Sequence, residues 1–295
     1  MFKSLTYKQV ESMWAYVFVL PAVLGFLLFV VFPLGFGFWT SLTEWNALSE
    51  PEFIGFSNYR RLFTITEPKW FPDTILNSFF FVVMGPVGIA FSLFLAMLVN
   101  TDLRLSKIFR GIFFLPTITS AAIVAIVWMW MYDTNFGLVN WVLSWFGVQP
   151  IPWLQSDRYA KLAIWLMLTW QGAGSGMMIQ LSALQGISSE VIEASIVDGA
   201  GAVRRFFSII LPLLTPVLFF QIVTTSIGAF QLFGPILMMT QGSNDTQTAV
   251  YYIYNYAFSR SQWGFATAGS YVLAVIIAIF TVIQFVGQKR WVFYG

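Results

Sequence analysis

The sequence predicts an all-α integral membrane protein with six transmembrane helices and a short cytoplasmic helix between the fourth and the fifth. Its 295 residues are 58% hydrophobic and only 9% charged, whereas soluble domains carry about 25% charged residues. Several apolar runs reach the roughly 20 residues that a helix needs to cross the hydrocarbon core of a bilayer. The predicted spans are Trp14–Thr40, Leu76–Val99, Gly111–Met131, Ala160–Leu184, Ser208–Met239 and Ala266–Gln288.

The first apolar run has to be distinguished from a signal peptide. Trp14–Thr40 is longer than the apolar region of a signal peptide and shows no small-residue cleavage site, so we interpret it as a membrane helix. The predicted organisation is a cytoplasmic N-terminal segment at 1–13, a six-span membrane domain at 14–288 and a cytoplasmic C-terminal segment at 289–295.

The basic residues predict the orientation of the spans. With the N-terminus inside, nine of the fifteen basic residues fall in cytoplasmic segments, which are shorter than the outer ones. The positive-inside rule then places both termini in the cytoplasm, with the opposite orientation as the alternative. The nine inner residues are Lys3, Lys8, Arg104, Lys107, Arg110, Arg204, Arg205, Lys289 and Arg290. The six outer ones are Arg60, Arg61, Lys69, Arg158, Lys161 and Arg260.

The residue types that are missing limit the possible chemistry. The chain has neither Cys nor His, which excludes disulfides, thiolate nucleophiles and the usual zinc ligands. No ionisable residue lies within the spans away from their ends, although ion-coupled carriers usually place one at membrane depth. Sodium binding by backbone carbonyl groups stays open as an alternative. Because there is also no phosphate-binding Gly-x-x-x-x-Gly-Lys-[Ser/Thr] loop, a transporter built from this chain would need another polypeptide to supply energy.

The two longer outer loops are the segments Ser41–Ile75 and Tyr132–Tyr159. The second loop contains Trp141, Trp145 and Trp153. Tryptophan is typical of the membrane–water interface, because one end of its ring is apolar and the other can form a hydrogen bond. An interfacial helix is one interpretation of this loop, and a docking surface for an external protein is the other.

The polar segment between the fourth and fifth spans predicts a short helix with a defined end. Ser188 and Ser189 are suitable N-cap residues, and Glu190 and Glu193 would place negative charge in the first turn, where the helix dipole favours it. Gly199 can adopt the left-handed conformation that ends a helix, so we expect the helix to run through Asp198. The small side chains of Ala194 and Ser195 would let another protein approach closely. A second helical stretch is expected from Ala202, before Pro212.

The spacing of this segment resembles the loop by which permease subunits of binding-protein-dependent ABC importers contact their ATPase. The order is Glu193-Ala194-Ser195, three residues, Gly199, nine residues, and then Ile209-x-Leu211-Pro212. The resemblance implies that the helix lies in a cleft of the ATPase, whereas a plain connecting turn is the alternative. It assigns the coupling role to Glu193, Ala194, Ser195, Asp198 and Gly199, within a coupling loop that covers residues 185–212.

Other phrases resemble the carbohydrate-uptake branch of these permeases, which includes the membrane subunits of the maltose transporter. The phrases are Leu20-Pro21-Ala22, Phe32-Pro33-Leu34, Phe53–Tyr59, Arg110–Pro116 and Ile187–Pro216. The resemblance implies a bacterial or archaeal inner-membrane location and a sugar substrate. Its implied partners are a second permease, ATPase subunits that use ATP and Mg, and an extracellular solute-binding protein. The resemblance favours a second permease of a different chain, with a second copy of this chain as the alternative. It implies no enzyme activity, no bound cofactor or metal, and no nucleic acid.

Two polar stripes within the spans indicate where a substrate could lie. Gln171, Gly174, Ser175 and Met178 share one helix face of the fourth span. On the fifth span the stripe is Gln221, Thr224, Thr225, Gly228 and Gln231. Such residues either hold helices together or line a water-filled cavity, and the resemblance favours the cavity. The predicted pathway residues are Trp170, Gln171, Ser175, Thr225, Gly228, Phe230 and Gln231.

Three alternative functions stay open from the sequence. A stand-alone secondary carrier or facilitator would transport without an ATPase. A membrane scaffold would use both stripes only for packing. An ABC importer for another solute, such as glycerol phosphate, would share the coupling loop. The absence of a cationic group in the spans argues against a phosphorylated substrate, because phosphate is usually bound by Arg or Lys.

Overall fold

The computed structural model describes residues 7–65, 69–101 and 104–293. Residues 1–6 of the predicted N-terminal segment, including Lys3, and residues 294–295 of the C-terminal segment lie outside the described residues. The chain divides into two compact units, one formed by Met1–Thr64 with Tyr254–Tyr271 and the other by Ile65–Ile253 with Val272–Gly295. Each unit is built almost entirely from helices.

In the first unit, α1 (Tyr7–Phe26), a π-helical turn (Leu27–Val31) and α2 (Phe32–Ser41) follow one another without a break. Together they supply the apolar segment Met13–Ser41, which confirms the predicted first span. The π turn comes directly before Phe32-Pro33. A proline ring clashes with the carbonyl group four residues earlier, and the wider π turn gives that ring room.

The loop after α2 folds into a small compact structure within the first unit. The strands β1 (Thr43–Glu44) and β2 (Glu52–Phe53) pair antiparallel, and α3 (Ser57–Thr64) follows them. Asn58 on α3 is buried and its side-chain amide donates to the carbonyl oxygens of Ser41 (2.9 Å) and Thr43 (2.8 Å). One buried amide therefore holds the end of α2 and strand β1 in place.

The second unit is organised around three long helices, α4 (Phe71–Val99), α8 (Ala160–Gln185) and α11 (Leu211–Phe230). α4 and α8 confirm the predicted second and fourth spans, and α4 begins five residues before the predicted Leu76. A second π turn, Phe206–Ile210, comes directly before Leu211-Pro212. The turn connects the short helix α10 (Ala202–Arg205) to α11.

The predicted third span, Gly111–Met131, is not a single straight helix. It consists of α5 (Arg104–Ile118) and α6 (Ala121–Met131), which meet at an angle of 100°. Thr119 and Ser120 form the break, and Pro116 precedes it. The apolar composition of the segment could not reveal this bend, because hydropathy reports the environment of a segment and not its direction.

The predicted fifth span, Ser208–Met239, is too long at its C-terminal end. α11 ends at Phe230, and a separate short helix, α12 (Gly234–Met239), begins after a break and carries Pro235 in its first turn. The apolar helix instead extends toward the N-terminus, where it begins at Ala202. Proline and glycine next to the break favour the start of a new helix over a continuation.

The last helices lie in both units. α13 (Ala249–Tyr254), a π turn (Asn255–Ser259) and α14 (Trp263–Gly287) are followed by a 3₁₀ turn (Gln288–Arg290). The apolar segment Trp263–Arg290 confirms the predicted sixth span. In total, the described residues contain five helices long and apolar enough to cross a membrane, or six crossings if α5 and α6 count as one bent span.

The segment between α6 and α8 contains α7 (Leu138–Ser144) and the three loop tryptophans. Trp141 and Trp145 are exposed and pack against each other, which both an interfacial helix and a docking surface allow. Trp153 differs from the prediction, because it is buried. Its indole N–H donates to Asn140 Oδ1 (3.0 Å) and its ring contacts Tyr132, so it belongs to the core of the second unit.

Two apolar clusters lie at opposite ends of the long helices in the second unit. One cluster includes Phe81, Ile164 and Ile236, and the other includes Val99, Leu184 and Leu214. The second cluster lies at the end of α8 that leads into the coupling loop. The middle sections of α4, α8 and α11 remain between the clusters, and they surround the candidate site.

Candidate functional site

The coupling loop contains the helix that its sequence predicts, α9 (Ser189–Val197). Ser188 is the N-cap, and its hydroxyl oxygen accepts a hydrogen bond from the backbone N–H of Glu190 (3.2 Å). Glu190 lies in the first turn, but Glu193 lies one turn further along. The expectation that both acids are in the first turn is therefore wrong for Glu193. Its carboxylate is too far from the N-terminus of α9 to be stabilised by the helix dipole.

The C-terminal end of α9 is closed by backbone hydrogen bonds. Asp198 is the C-cap, and Gly199 has a φ angle of +74°, in the left-handed region. The N–H of Gly199 bonds to Ile196 O (3.0 Å), and the N–H of Ala200 bonds to Ser195 O (2.9 Å). This pair of bonds defines a Schellman motif. A residue with a β-carbon is disfavoured at Gly199 by about 1–2 kcal/mol.

Four of the five predicted coupling residues are exposed, and one is not. Glu193, Ala194, Asp198 and Gly199 lie on the surface, whereas Ser195 is only 4% exposed. The Ser195 hydroxyl donates to Ile192 O (2.5 Å) within the same helix. Of the two small residues, only Ala194 is therefore accessible to another protein, because Ser195 packs against its own chain.

An exposed apolar surface accompanies these polar residues, and sequence reasoning missed it. Val197 is 87% exposed, Val203 is 73% exposed, and Ile196 and Phe207 are also exposed. Apolar side chains grouped on a surface commonly mark a contact with another protein. The sequence did indicate this surface, because valine is unusual in a polar loop that joins two spans.

A cavity of about 380 Å³ lies between the middle sections of α4, α8 and α11. Its walls are mostly small, hydroxyl-bearing or apolar, and none of the lining residues is charged. The opening is lined by exposed residues of α8 and α11. The lining residues include Gly85, Ser92, Gly172, Ser175, Gln221 and Thr225.

The structure brings three of the seven predicted pathway residues to this cavity. Ser175, Thr225 and Gly228 line it, while Trp170, Gln171, Phe230 and Gln231 do not. The face of α8 that lines the cavity contains Thr169, Gly172, Gly176 and Ile179. It is offset by about one residue from the predicted face. The stripe on α11 is close to the prediction, apart from its C-terminal end.

The four remaining residues have other contacts. The Gln171 amide donates to Thr119 O (3.4 Å) at the break between α5 and α6, and the ring of Trp170 contacts that of Trp128. Phe230 is 2% exposed and packs against Phe280. Gln231 is exposed at the C-cap of α11. These positions correct the prediction that the four residues line this cavity: Trp170 and Gln171 face the bent third span, and Phe230 and Gln231 lie at the C-terminal end of α11.

The third wall of the cavity comes from α4, which sequence reasoning did not include. A β-carbon on Gly85 would lie 3.0 Å from the Thr225 side chain, and one on Gly88 would lie 3.5 Å from the Thr169 hydroxyl. Small residues in this way let α4 approach both α8 and α11 closely. Their spacing in the sequence, Gly85, Gly88 and Ser92, was the available signal.

A buried pair of amides lies at one side of the cavity. Gln180 on α8 donates from Nε2 to Gln221 Oε1 on α11 (2.6 Å) and to Ile89 O on α4 (3.2 Å). Gln221, which lines the cavity, donates from Nε2 to Gly176 O (3.2 Å). The two side chains thus connect all three cavity helices.

An ion-pair cluster joins the loops at the end of the second unit that is opposite to the coupling loop. Asp245 contacts Lys69 Nζ (2.5 Å) before α4 and Lys161 Nζ (2.6 Å) at the start of α8. Burial raises the pKa of Asp245, but hydrogen bonds from Lys161, Lys69 and Asn77 outweigh it and hold the pKa at about 2. The carboxylate therefore stays ionised at neutral pH.

Comparison with known proteins identifies the family. Residues 88–292 match the family described as "Binding-protein-dependent transport system inner membrane component". The chain belongs to this family. This transport-system component is accordingly a multi-pass membrane protein, and its membrane fold agrees with the apolar helices of the structure.

Curated relatives cover nearly the whole of this transport-system component. It is 35% identical to a Bacillus subtilis protein described as "Probable ABC transporter permease protein YesP", over 96% of this chain and 93% of the relative. It is 32% identical to the sn-glycerol-3-phosphate transport system permease protein UgpA of Pectobacterium atrosepticum, over 96% and 97%. It is 33% identical to the lactose transport system permease protein LacF of Rhizobium radiobacter, over 96% and 96%.

A solved structure shares the fold. The chain superposes with a TM-score of 0.84 on a chain from the crystal structure of a bacterial alginate ABC transporter in complex with alginate pentasaccharide-bound periplasmic protein. The sequence identity is 23%, and the match covers 97% of both chains. The transport-system component therefore has an ABC transporter membrane-subunit fold.

Proposed function

We propose that this chain is the permease subunit of an ABC importer for a neutral sugar or short oligosaccharide. An extracellular solute-binding protein delivers the sugar, and this chain forms the pathway together with a second, different permease. A separate ATPase that uses ATP and Mg supplies the energy, and this chain carries no catalytic residue of its own. Membership in a binding-protein-dependent family supports this assembly.

The uncharged lining of the central cavity is the observation that carries the sugar assignment. A polyhydroxylated ligand needs hydrogen-bonding partners, and the hydroxyl groups of Ser175, Thr224 and Thr225 supply them. Apolar surface for the sugar ring comes from Trp165 and Leu168. The volume of about 380 Å³ falls within the range of small-molecule sites, which is roughly 300–1,000 Å³.

The same lining argues against a phosphorylated solute. A glycerol phosphate carries negative charge, and proteins bind such groups with Arg, Lys or helix N-termini. No lysine or arginine is among the residues that line the cavity. The relative UgpA is named for glycerol-3-phosphate, so glycerol phosphate is the appropriate competitor in any test of the substrate.

The coupling loop is the proposed contact with the ATPase. Glu193, Ala194, Asp198 and Gly199 offer an exposed polar surface, and Val197 and Val203 add apolar contact area. In this proposal the loop is cytoplasmic and both termini lie on the same side. That orientation requires α5 and α6 to cross the membrane together as one bent span, since five crossings would separate the termini.

The cavity is open on the side formed by α8 and α11, which supports the role of a second permease. Gly172, Thr224 and Gly228 line the cavity and are exposed in the isolated chain. A second permease that covers this side would enclose the substrate between the two chains. The stand-alone carrier, in contrast, would have to transport with this side facing lipid.

The decisive experiment reconstitutes the permease with its second permease, its ATPase and its binding protein in proteoliposomes. We expect uptake of a radiolabelled neutral sugar that requires ATP on the ATPase side and the binding protein on the other. Glycerol 3-phosphate should not compete. Uptake that continues without ATP would support the secondary carrier, and transport of glycerol 3-phosphate alone would overturn the sugar assignment.

A further inference from the structure

The Gln180–Gln221 pair is buried between the cavity and the coupling loop. We propose that this amide pair is the positioning element through which movement of α9 changes the shape of the central cavity. The inference rests on the proposed importer function, because it assumes that α9 is moved by an ATPase. It adds a specific link between two parts of the chain that the family match does not assign.

The direction of the hydrogen bonds follows from the groups around the pair. Ile89 O and Gly176 O are main-chain carbonyl oxygens and can only accept, so each amide must turn its Nε2 toward one of them. Gln221 Oε1 is then free to accept from Gln180 Nε2, at 2.6 Å. Rotating either amide by 180° would place two acceptors against each other. The pair therefore has one favoured arrangement with this spacing of the helices.

The position of the pair along the helices connects it to the coupling loop. α8 enters the coupling loop and α11 leaves it, so a displacement of α9 reaches the cavity through these two helices. Gln180 lies five residues before the end of α8, which is about 8 Å along the helix axis. A shift of α8 relative to α11 would therefore act on the Gln180–Gln221 bond before it acts on Thr225 or Gly228.

One atom of the pair indicates a second arrangement. Gln180 is 0% exposed, and its Oε1 has no hydrogen-bond partner among the described residues. A buried acceptor without a donor is unfavourable, which raises the free energy of the present arrangement. A helix shift that brings a donor to this oxygen would stabilise the alternative. Two arrangements that are close in free energy are what a switching element requires.

The test uses Gln180→Met, Gln221→Met and the double variant in the complete transporter. Each single variant leaves one buried amide without its partner, so we expect lower thermal stability. The double variant removes both amides, and its stability should return close to that of the wild type, because loss of both partners is nearly neutral. The number of sugar molecules transported per ATP hydrolysed should nevertheless fall about fivefold or more, as expected for the loss of a typical coupling.

A second hydrogen-bonded pair, which is partly buried, provides a control. Gln284 Nε2 on α14 donates to Ser226 Oγ on α11 (2.9 Å), and Gln284 Oε1 also lacks a partner among the described residues. Neither residue lines the cavity. The double variant Ser226→Ala with Gln284→Met should therefore keep the wild-type transport ratio. An equal loss in this control would show a general effect of loosened packing and would overturn the proposal.

A labelling readout separates failure of this inference from failure of the proposed function. A cysteine at Thr225 should change its reactivity when nucleotide is trapped in the wild-type background, and this change should disappear in the Gln180→Met/Gln221→Met background. If the change occurs but no sugar is transported, the sugar assignment fails and the link stands. The proposed coupling through Gln180 and Gln221 is wrong if the double variant keeps the nucleotide-dependent change in labelling. It is also wrong if the double variant is less stable than the single variants, or if it keeps the wild-type transport ratio. No change in the wild type would overturn both.

Discussion

Gly176 on α8 lies so close to Ser92 on α4 that a β-carbon on Gly176 would come within 2.5 Å of the Ser92 hydroxyl oxygen. The same β-carbon would lie 2.9 Å from Ser92 Cβ, an atom that cannot rotate away. The two helices therefore cross at a distance that only glycine permits. Because both residues line the cavity, this contact also determines the width of the cavity.

We expect Gly176→Val to separate α4 from α8 and to destabilise the permease by about 1–3 kcal/mol, the usual cost of overpacking. The melting temperature of the purified complex in detergent measures this loss. Gly172→Ala is the matched control, since Gly172 lines the same cavity and has open space where a β-carbon would be placed. Equal melting temperatures for the two variants would contradict the close crossing.

Gly199→Val should leave the protein inserted in the membrane but impair its contact with the ATPase. The positive φ angle disfavours a β-branched residue, although no atom lies within 4 Å of the new β-carbon. Gly201→Ala has equally open surroundings and a φ angle of −62°, so it should behave as the wild type. Co-purification of the ATPase and sugar-stimulated ATP hydrolysis test the difference. A Gly199→Val variant that assembles and transports normally would refute the role of the coupling loop.

Glu193→Ala should weaken assembly with the ATPase. Loss of one partner in a buried charged contact at an interface costs about 2–5 kcal/mol. Glu190→Ala provides the comparison, because Glu190 is exposed in the first turn and should lose only the favourable interaction with the helix dipole, about 0.3–1 kcal/mol. Binding of the purified ATPase to each variant, measured by titration, should therefore differ between them. Indistinguishable affinities would mean that Glu193 does not face the partner.

Single cysteines at Ser175 and Thr225 should react with a water-soluble thiol reagent, because both positions line the cavity. The chain contains no native cysteine, so the background is low. Cysteines at Ile222 and Ile227, which do not line the cavity, should be unreactive in lipid. Labelling at Thr225 should also change with bound sugar or trapped nucleotide, as alternating access requires. Equal labelling of all four positions would indicate that the stripes serve only for helix packing.

Asp245→Asn should loosen the loop after α12 by removing its ion pairs with Lys69 and Lys161. The lowered pKa of Asp245 means that its contribution to stability is present above the ordinary carboxyl pKa and is lost as the pH falls through about 2. The contribution is reduced by solvent, because 43% of the side chain is exposed. Hydrogen exchange in residues 240–248 should increase in this variant but not in Asp157→Asn. Unchanged exchange would show that the ion pairs do not hold the loop.

The coupling loop could be predicted because its structure depends on residues that are close in sequence. The capping hydroxyl of Ser188 and the glycine at position 199 determine where α9 begins and ends. The burial of Ser195 could not be predicted, since it depends on where the rest of the chain packs. The role of these residues toward an ATPase stays a prediction until the variants are measured.

The cavity was predicted only in part, because helix periodicity defines a face but not its neighbour. Gln171 and Ser175 are four residues apart and were assigned to one face, yet the first contacts Thr119 and the second lines the cavity. Gln171 lies beside the break between α5 and α6, which meet at an angle of 100°. The mean hydropathy of Gly111–Met131 does not reveal such a bend, although Pro116 lies just before the break.

The bend between α5 and α6 also leaves this part of the chain shorter than the hydrocarbon core is thick. The 15 residues of α5 and the 11 residues of α6 span about 22 Å and 16 Å, whereas the hydrocarbon core is roughly 30 Å thick. Neither helix reaches across alone, and an angle of 100° prevents their lengths from adding. The bilayer beside them must therefore become thinner, or the residues that flank the two helices must reach out to the membrane–water interface. We therefore expect transport to depend on the length of the lipid acyl chains.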